Sequence, residues 1–151
     1  MAKETLYELD FYSWTLQQAG LLRAGRLDEI DVENIFEEVE SLGKSHRTAL
    51  RSAYRLIALH LLKLAYQPDK ASRSWRVTII RERDNIIDIL HESPGLKPQR
   101  KDIFATAYTG ARKEAAADAG LSPSLFPKLP PFTVEDAEDE TYFCAVPPLV
   151  D

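Results

Sequence analysis

The sequence predicts an all-α protein: a single-domain bundle of about five helices around a central apolar helix, followed by a C-terminal proline-rich strap and a short acidic tail. Three observations predict it. Apolar residues recur at i, i+3 and i+4 almost throughout, and no convincing alternating stretch appears. Aspartate or serine precedes most of these periodic segments, and glycine or proline follows them. From Arg55 to Gln67 the chain is apolar around most of a helical girth, so that segment must be wrapped by others. One domain is expected over residues 1–151, with the bundle at about 6–121 and the strap and tail at 122–151.

Each element has its own signals. Asp10 is placed to cap a first helix carrying Phe11, Trp14, Leu21 and Leu22 to about Arg23, and Gly25 stops it. A second begins near Asp31, with Val32, Ile35, Phe36, Val39 and Leu42 as one apolar stripe opposite Glu33, Glu37, Glu38 and Glu40; Gly43 is expected to end it. The central helix spans about Ser45 to Gln67 and stops at Pro68, with Leu50, Ala53, Tyr54, Ile57, Leu61 and Leu64 as its main stripe. A fourth follows Ser72 or Ser74 and turns Trp75, Ile79, Ile86, Ile87 and Leu90 inward, up to Ser93-Pro94-Gly95. The fifth opens near Pro98, carries Ile103, Phe104, Tyr108, Ala111, Ala115 and Ala119, and ends at Gly120. Pro123, Pro127, Pro130 and Pro131 then favour an extended strap anchored by Leu125, Phe126 and Phe132. Thr133 and Asp136 resemble a capping box for a short acidic helix, and Pro147-Pro148 precede a loose end.

Composition removes several classes. The 151 residues are 44% hydrophobic and 28% charged with a formal charge of −5, far from the regime of disorder. No apolar run approaches the roughly 18 residues of a membrane span, and Met1-Ala2-Lys3-Glu4 opens no signal core, so a cytoplasmic location and no membrane partner are expected. The single cysteine, Cys144, cannot form an internal disulfide or, within one chain, a thiolate zinc cage.

Charge is segregated. Residues 1–43 hold 3 basic and 10 acidic side chains, residues 44–83 hold 10 and 2, and residues 133–151 hold six acids and no base. The acidic third is expected to neutralise the basic middle within the fold, with Glu37 and Glu40 pairing Arg47, Arg51 or Arg55. The alternative is a basic surface for an anionic partner.

Candidate chemistry is sparse. Arg55, four residues, then His60 is similar in spacing to the motif of the HEPN superfamily, helical bundles that include metal-independent ribonucleases. That resemblance implies His60 moving a proton and Arg55 stabilising phosphorane charge. Five residues turn a regular helix so that the two side chains stand about 140° apart, which requires a distorted helix or a dimer partner. Glu33, Glu37 and Glu40 share a helical face, but Glu-x-x-His pairs on two helices are missing and only Asp88-x-x-His91 comes near, so no metal and no cofactor are expected. Lys70, Arg73, Arg76, Arg81 and Arg83 around Trp75 could grip phosphates, although the helical stripe claims the indole for the core.

Ordered phrases carry a wider resemblance. Leu6-Tyr7-Glu8-Leu9-Asp10-Phe11-Tyr12-Ser13-Trp14, then Arg26-Leu27-Asp28, Glu33-Asn34-Ile35 and Glu37-Glu38-Val39-Glu40-Ser41-Leu42-Gly43 resemble the bacterial family called domain of unknown function 29. His60-Leu61-Leu62-Lys63, Tyr66-Gln67-Pro68, Arg73-Ser74-Trp75, Thr78-Ile79, Ser93-Pro94 and Phe126-Pro127 continue it in order; Leu64 departs from the usual aromatic. The resemblance implies one all-helical domain and no activity that transfers residue by residue.

With no complete catalytic set, the reading is a non-catalytic module that binds another protein or itself. The alternatives are an HEPN-like ribonuclease using Arg55 and His60, or a non-catalytic nucleic-acid binder. The candidate binding surface is Arg73, Arg76, Glu37, Glu40, Asp136 and Asp139, the last two on a solvent-exposed acidic tail.

Overall fold

The computed structural model describes residues 2–143, so expectations about Cys144, Pro147 and Pro148 lie outside the described residues. Among these there are six α-helices and no strand: α1 Leu6–Leu9, α2 Phe11–Arg23, α3 Val32–Tyr66, α4 Arg73–Glu92, α5 Arg100–Ala119 and α6 Val134–Glu138. The chain falls into two compact units, up to Lys44 and from Ser45 onward.

One boundary differs from expectation. Gly43 does not stop a helix: it lies inside α3, which is 35 residues long. Gly43 is not among the glycines with positive φ, and a Cβ there would meet nothing within 4 Å. It therefore costs the helix about 1 kcal/mol relative to alanine. A single glycine ends a helix only when the backbone turns left-handed there, as it does at Gly25 (φ 70°) and Gly120 (φ 67°). After α2, the Arg26 amide donates to the Leu21 carbonyl at 3.0 Å, and after α5 the Leu121 amide donates to that of Ala116 at 2.9 Å.

In the first unit, local caps place the helices. Thr5 and Glu8 form a capping box on α1, and Asp10 caps α2 as its position predicts, accepting the Ser13 amide at 3.0 Å. Asp31 then clasps α2 to the start of α3. It accepts the Trp14 indole N–H at 3.1 Å and the Asn34 side-chain amide at 2.7 Å, while its own amide donates to Gln18 at 2.7 Å. Trp14 is buried beneath Tyr7, whose ring meets it edge-on at 4.8 Å.

The second unit contains a conventional core. Leu50, Tyr54, Ile57, Leu61 and Leu62 of α3 are fully buried against Ile79 and Ile86 of α4 and Ile103, Phe104 and Tyr108 of α5. Each such aliphatic side chain contributes roughly 1.5–3 kcal/mol by leaving water. Ala111 and Ala115, both buried, provide the small surface that close helix packing needs. Two details depart from the stripe predictions: Ile87 is exposed, and α5 opens at Arg100 behind a 3₁₀ segment, Pro94–Gln99, because Pro94 and Pro98 lack the amides a regular α-helical turn would use.

The strap closes this core. Phe126 and Phe132 anchor it as expected, whereas Leu125 stays half exposed on its own 3₁₀ turn, Pro123–Leu125. The Tyr108 hydroxyl donates to the Pro127 carbonyl at 2.6 Å and Arg112 Nε to that of Phe126 at 3.1 Å, so α5 holds the strap by its backbone. The described part of the acidic tail is two-sided, with Glu135, Asp139 and Glu140 exposed. Val134 and Ala137 of α6 are buried, with Asp136 completing the capping box on Thr133.

Arg83 explains how that segment is fixed. It is only 2% exposed, although its place in a basic run marks it as a phosphate ligand. Its guanidinium donates to four main-chain carbonyls: Ala137 at 2.8 Å, Tyr142 at 2.6 Å, Asp136 at 3.3 Å and Glu140 at 3.4 Å. The planar five-donor fork suits this fan of acceptors. Burial lowers the arginine pKa, partly offset by Asp139 and Glu140, and the group keeps its charge at neutral pH. Beside it, Glu138 accepts from both the Tyr54 hydroxyl, at 2.5 Å, and Arg100, at 2.6 Å.

Candidate functional site

The surface that stands out lies on the first unit. α1 and α2 engage this segment at Asp31, just before α3, and at Glu38, the latter through the Tyr7 hydroxyl at 2.5 Å. That hydrogen bond to a carboxylate raises the Tyr7 pKa. The other side of the helix is bare. Val32, Phe36, Val39 and Leu42 are 62–66% exposed, and Leu9 and Tyr12 are 64% and 72% exposed. Of the apolar stripe that the periodicity marks here, only Ile35 is half-buried. A 3.6-residue period identifies an apolar face but not whether the same chain covers it.

The acids flanking that stripe are also placed differently. Glu40 pairs with Lys44 at 2.6 Å, one turn along α3. Arg55 pairs with Glu114 of α5, and Arg47 donates to Gln99. Glu33, Glu37 and Arg51 have no ion-pair partner among the described residues.

Arg55 and His60 are given separate work. His60 is half-buried, and its Nδ1 lies 2.8 Å from the Leu56 carbonyl, which can only accept, so Nδ1 carries the proton. That is a local backbone bond on α3, while the Arg55 guanidinium reaches across to α5. Burial of the imidazole pulls its pKa below 6.5, against a smaller opposing effect of the Leu56 hydrogen bond. The unfolded chain therefore binds the proton more tightly. Stability is complete above pH 6.5 and declines as pH falls from there through the folded pKa. Comparing thermal unfolding at pH 7.5 and 5.5, we expect a smaller Tm loss in His60→Gln than in the wild type; equal losses would show that His60 does not contribute to the pH response.

The remaining candidates are dispersed. Arg73 and Arg76 are exposed on α4, with Arg76 over the Phe143 ring at 4.9 Å. Trp75 is half-buried and Lys63 sits 4.4 Å over its face, occupying the position a stacked base would take. The Asp136 carboxylate accepts the amide of Thr133, the N-cap of α6, at 2.9 Å, and Asp139 accepts the Thr141 amide at 2.8 Å. No three His, Cys, Asp or Glu side chains converge on a point that could hold a metal among the described residues. No described helix is long and apolar enough to cross a membrane.

Comparison with known proteins identifies the family. The sequence matches the family model described as "Domain of unknown function DUF29" over residues 6–143. The chain belongs to that family. The DUF29 match starts with α1 and ends just past α6, so it takes in both the bare face of α3 and the strap that closes the core. No curated protein and no solved structure matches this DUF29 chain. The ordered phrases read from the sequence therefore identify the DUF29 family, and the all-helical fold agrees with them.

Proposed function

We propose that this protein is a non-catalytic helical module that binds another protein chain. One observation carries the reading: the first unit, up to Lys44, buries Trp14 but leaves Leu9, Tyr12, Val32, Phe36, Val39 and Leu42 largely in water. Isolated exposed apolar residues are ordinary on protein surfaces, whereas several aligned on one helix mark a surface meant to be covered. So short a unit also buries too little of its own surface to be well packed alone. Aromatic side chains at the centre of such patches dominate binding energy, which makes Phe36 the anchor.

The test is recovery of partners from the native cell on tagged wild type and tagged Phe36→Asp, with and without ribonuclease. Phe36 is exposed, so the substitution should leave unfolding within about 0.5 kcal/mol of wild type. Protein partners that survive ribonuclease and are lost with Phe36→Asp are expected. Identical recovery on both baits overturns the reading, and partners lost to ribonuclease alone redirect it to nucleic acid at Arg73 and Arg76.

A further inference from the structure

We propose that the groove between α3 and α5 in the second unit binds a short chain of linked phosphates, with the Arg51 guanidinium as its principal ligand. The site is separate from the protein-binding surface above and does not depend on it.

Arg47, Arg51 and Arg55 follow one another at four-residue steps on α3, about 6 Å apart along the axis and within a sector about 80° wide. Arg51, Ser52 and Arg55 face Thr106, Ala107 and Gly110 of α5 across a groove of about 330 Å³. Past Arg51 and Thr106 the groove runs on to Arg47 and Thr48. All of these residues belong to the second unit. Small residues keep the α5 side low: a Cβ on Gly110 would stand 3.4 Å from Cδ of Arg55, so a larger side chain there would fill the space.

The groove is rich in donors that nothing in the chain satisfies. Arg51 makes no ion pair and no side-chain hydrogen bond among the described residues. Arg47 donates to the neutral amide of Gln99 and so keeps its full charge. Arg55 meets Glu114, in a partly exposed pair of the kind worth little and readily exchanged for another anion. One carboxylate thus answers three cations. The hydroxyls point the same way. Those of Thr78, Thr106 and Thr109 donate to the carbonyl four residues earlier, a common outcome inside helices. Thr48 and the half-buried Ser52 have no hydrogen-bond partner among the described residues, and both line the groove.

Phosphate suits this set because its oxygens only accept, and the guanidinium fork matches two of them at once. Three cations spread over about 12 Å exceed what a single phosphate can engage. A nucleic-acid strand fits less well. The lining residues include no aromatic side chain on which a base could stack, and Glu114 sets a negative charge beside Arg55 at one end. The occupant is therefore a short chain, either free polyphosphate or the phosphate tail of a nucleotide.

The test is calorimetric titration of the full chain with sodium tripolyphosphate at about 0.05 M salt, where screening is weak. Because the chain carries a formal charge of −5, a polyanion gains nothing from the molecule as a whole, and saturable binding reports a local site. One site per chain is expected, about tenfold or more tighter than for orthophosphate. ATP in place of tripolyphosphate separates the two sources: equal affinity marks recognition of the phosphates alone, and tighter binding marks a nucleotide. Arg51→Ala should weaken binding about tenfold or more, the value of one charge-assisted hydrogen bond, with an unchanged Tm because the residue is exposed and unpaired. Ser52→Ala should weaken it to a smaller degree, and Phe36→Asp should leave it unchanged. R73A/R76A removes two exposed charges outside the groove and should also leave it unchanged. The proposal is overturned by the absence of saturable binding up to about 1 mM. It is equally overturned if R73A/R76A weakens binding as much as Arg51→Ala does, or if a single-stranded oligonucleotide binds through Arg51 more tightly than tripolyphosphate.

Discussion

Cutting the chain after Leu121 is expected to abolish cooperative unfolding. The cut removes Phe126, Phe132, Val134 and Ala137, all buried in the second unit's core. Truncating one buried phenylalanine to alanine typically costs about 3–5 kcal/mol, so losing two consumes most of the roughly 5–15 kcal/mol by which a domain is stable. The cut also strips the Phe132 ring from Phe104 and Tyr108, each 6.1 Å away between centroids, and re-exposes their apolar surface. Circular dichroism against urea is the measurement. A broad, sloping transition with helical signal partly kept is expected, and a sharp transition at the wild-type midpoint would show the strap to be an accessory. A deletion from residue 133 is likewise not a clean probe of binding, since it takes Val134 and Ala137 out of the core.

Arg83→Ala should be the most damaging single substitution of a charged residue. It leaves four carbonyls facing a cavity, three within 3.3 Å of where the guanidinium was and the fourth at 3.4 Å. Removing one partner from a buried charged network costs about 3–5 kcal/mol, which for a chain of this size corresponds to a Tm lower by roughly 10 °C. Arg83→Lys should recover only part of this, since a single ammonium cannot span a fan of acceptors. Hydrogen exchange separates this from general destabilisation: amides of residues 134–142 should lose protection before those of α3. Uniform loss across the chain would mean that Arg83 does not hold the segment locally.

The sequence made the fold legible where one property settles the outcome. Apolar periodicity located α2, α4 and α5, the second half of α3, and the anchors Phe126 and Phe132, because a buried stripe in a bundle has a single period to follow. It failed where two weak effects compete. Gly43 disfavours helix by about as much as one good cap favours it, and the strong formers on either side outweigh it. Arg83 reads as a surface cation because burial of arginine is rare, and four carbonyls from residues more than fifty positions away leave no local trace. The candidate surface was half legible. The stripe of Val32, Phe36 and Val39 was seen, but its exposure depends on what other segments reach, which no period encodes.

The Arg83 clasp has a consequence for how this sequence can change over time. All four acceptors are backbone carbonyls, and every amino acid supplies one, proline included. The clasp therefore fixes the path of residues 136–142 without itself prescribing their side chains, which are set instead where they pack or cap, as at Ala137 and Asp136. At Glu140, which is exposed, any side chain can be substituted while the main chain beneath it stays put. Position 83 has no such latitude. The segment is a rigid mount with an interchangeable outer surface, on which descendants of this chain can acquire new contacts without first having to stabilise a new loop.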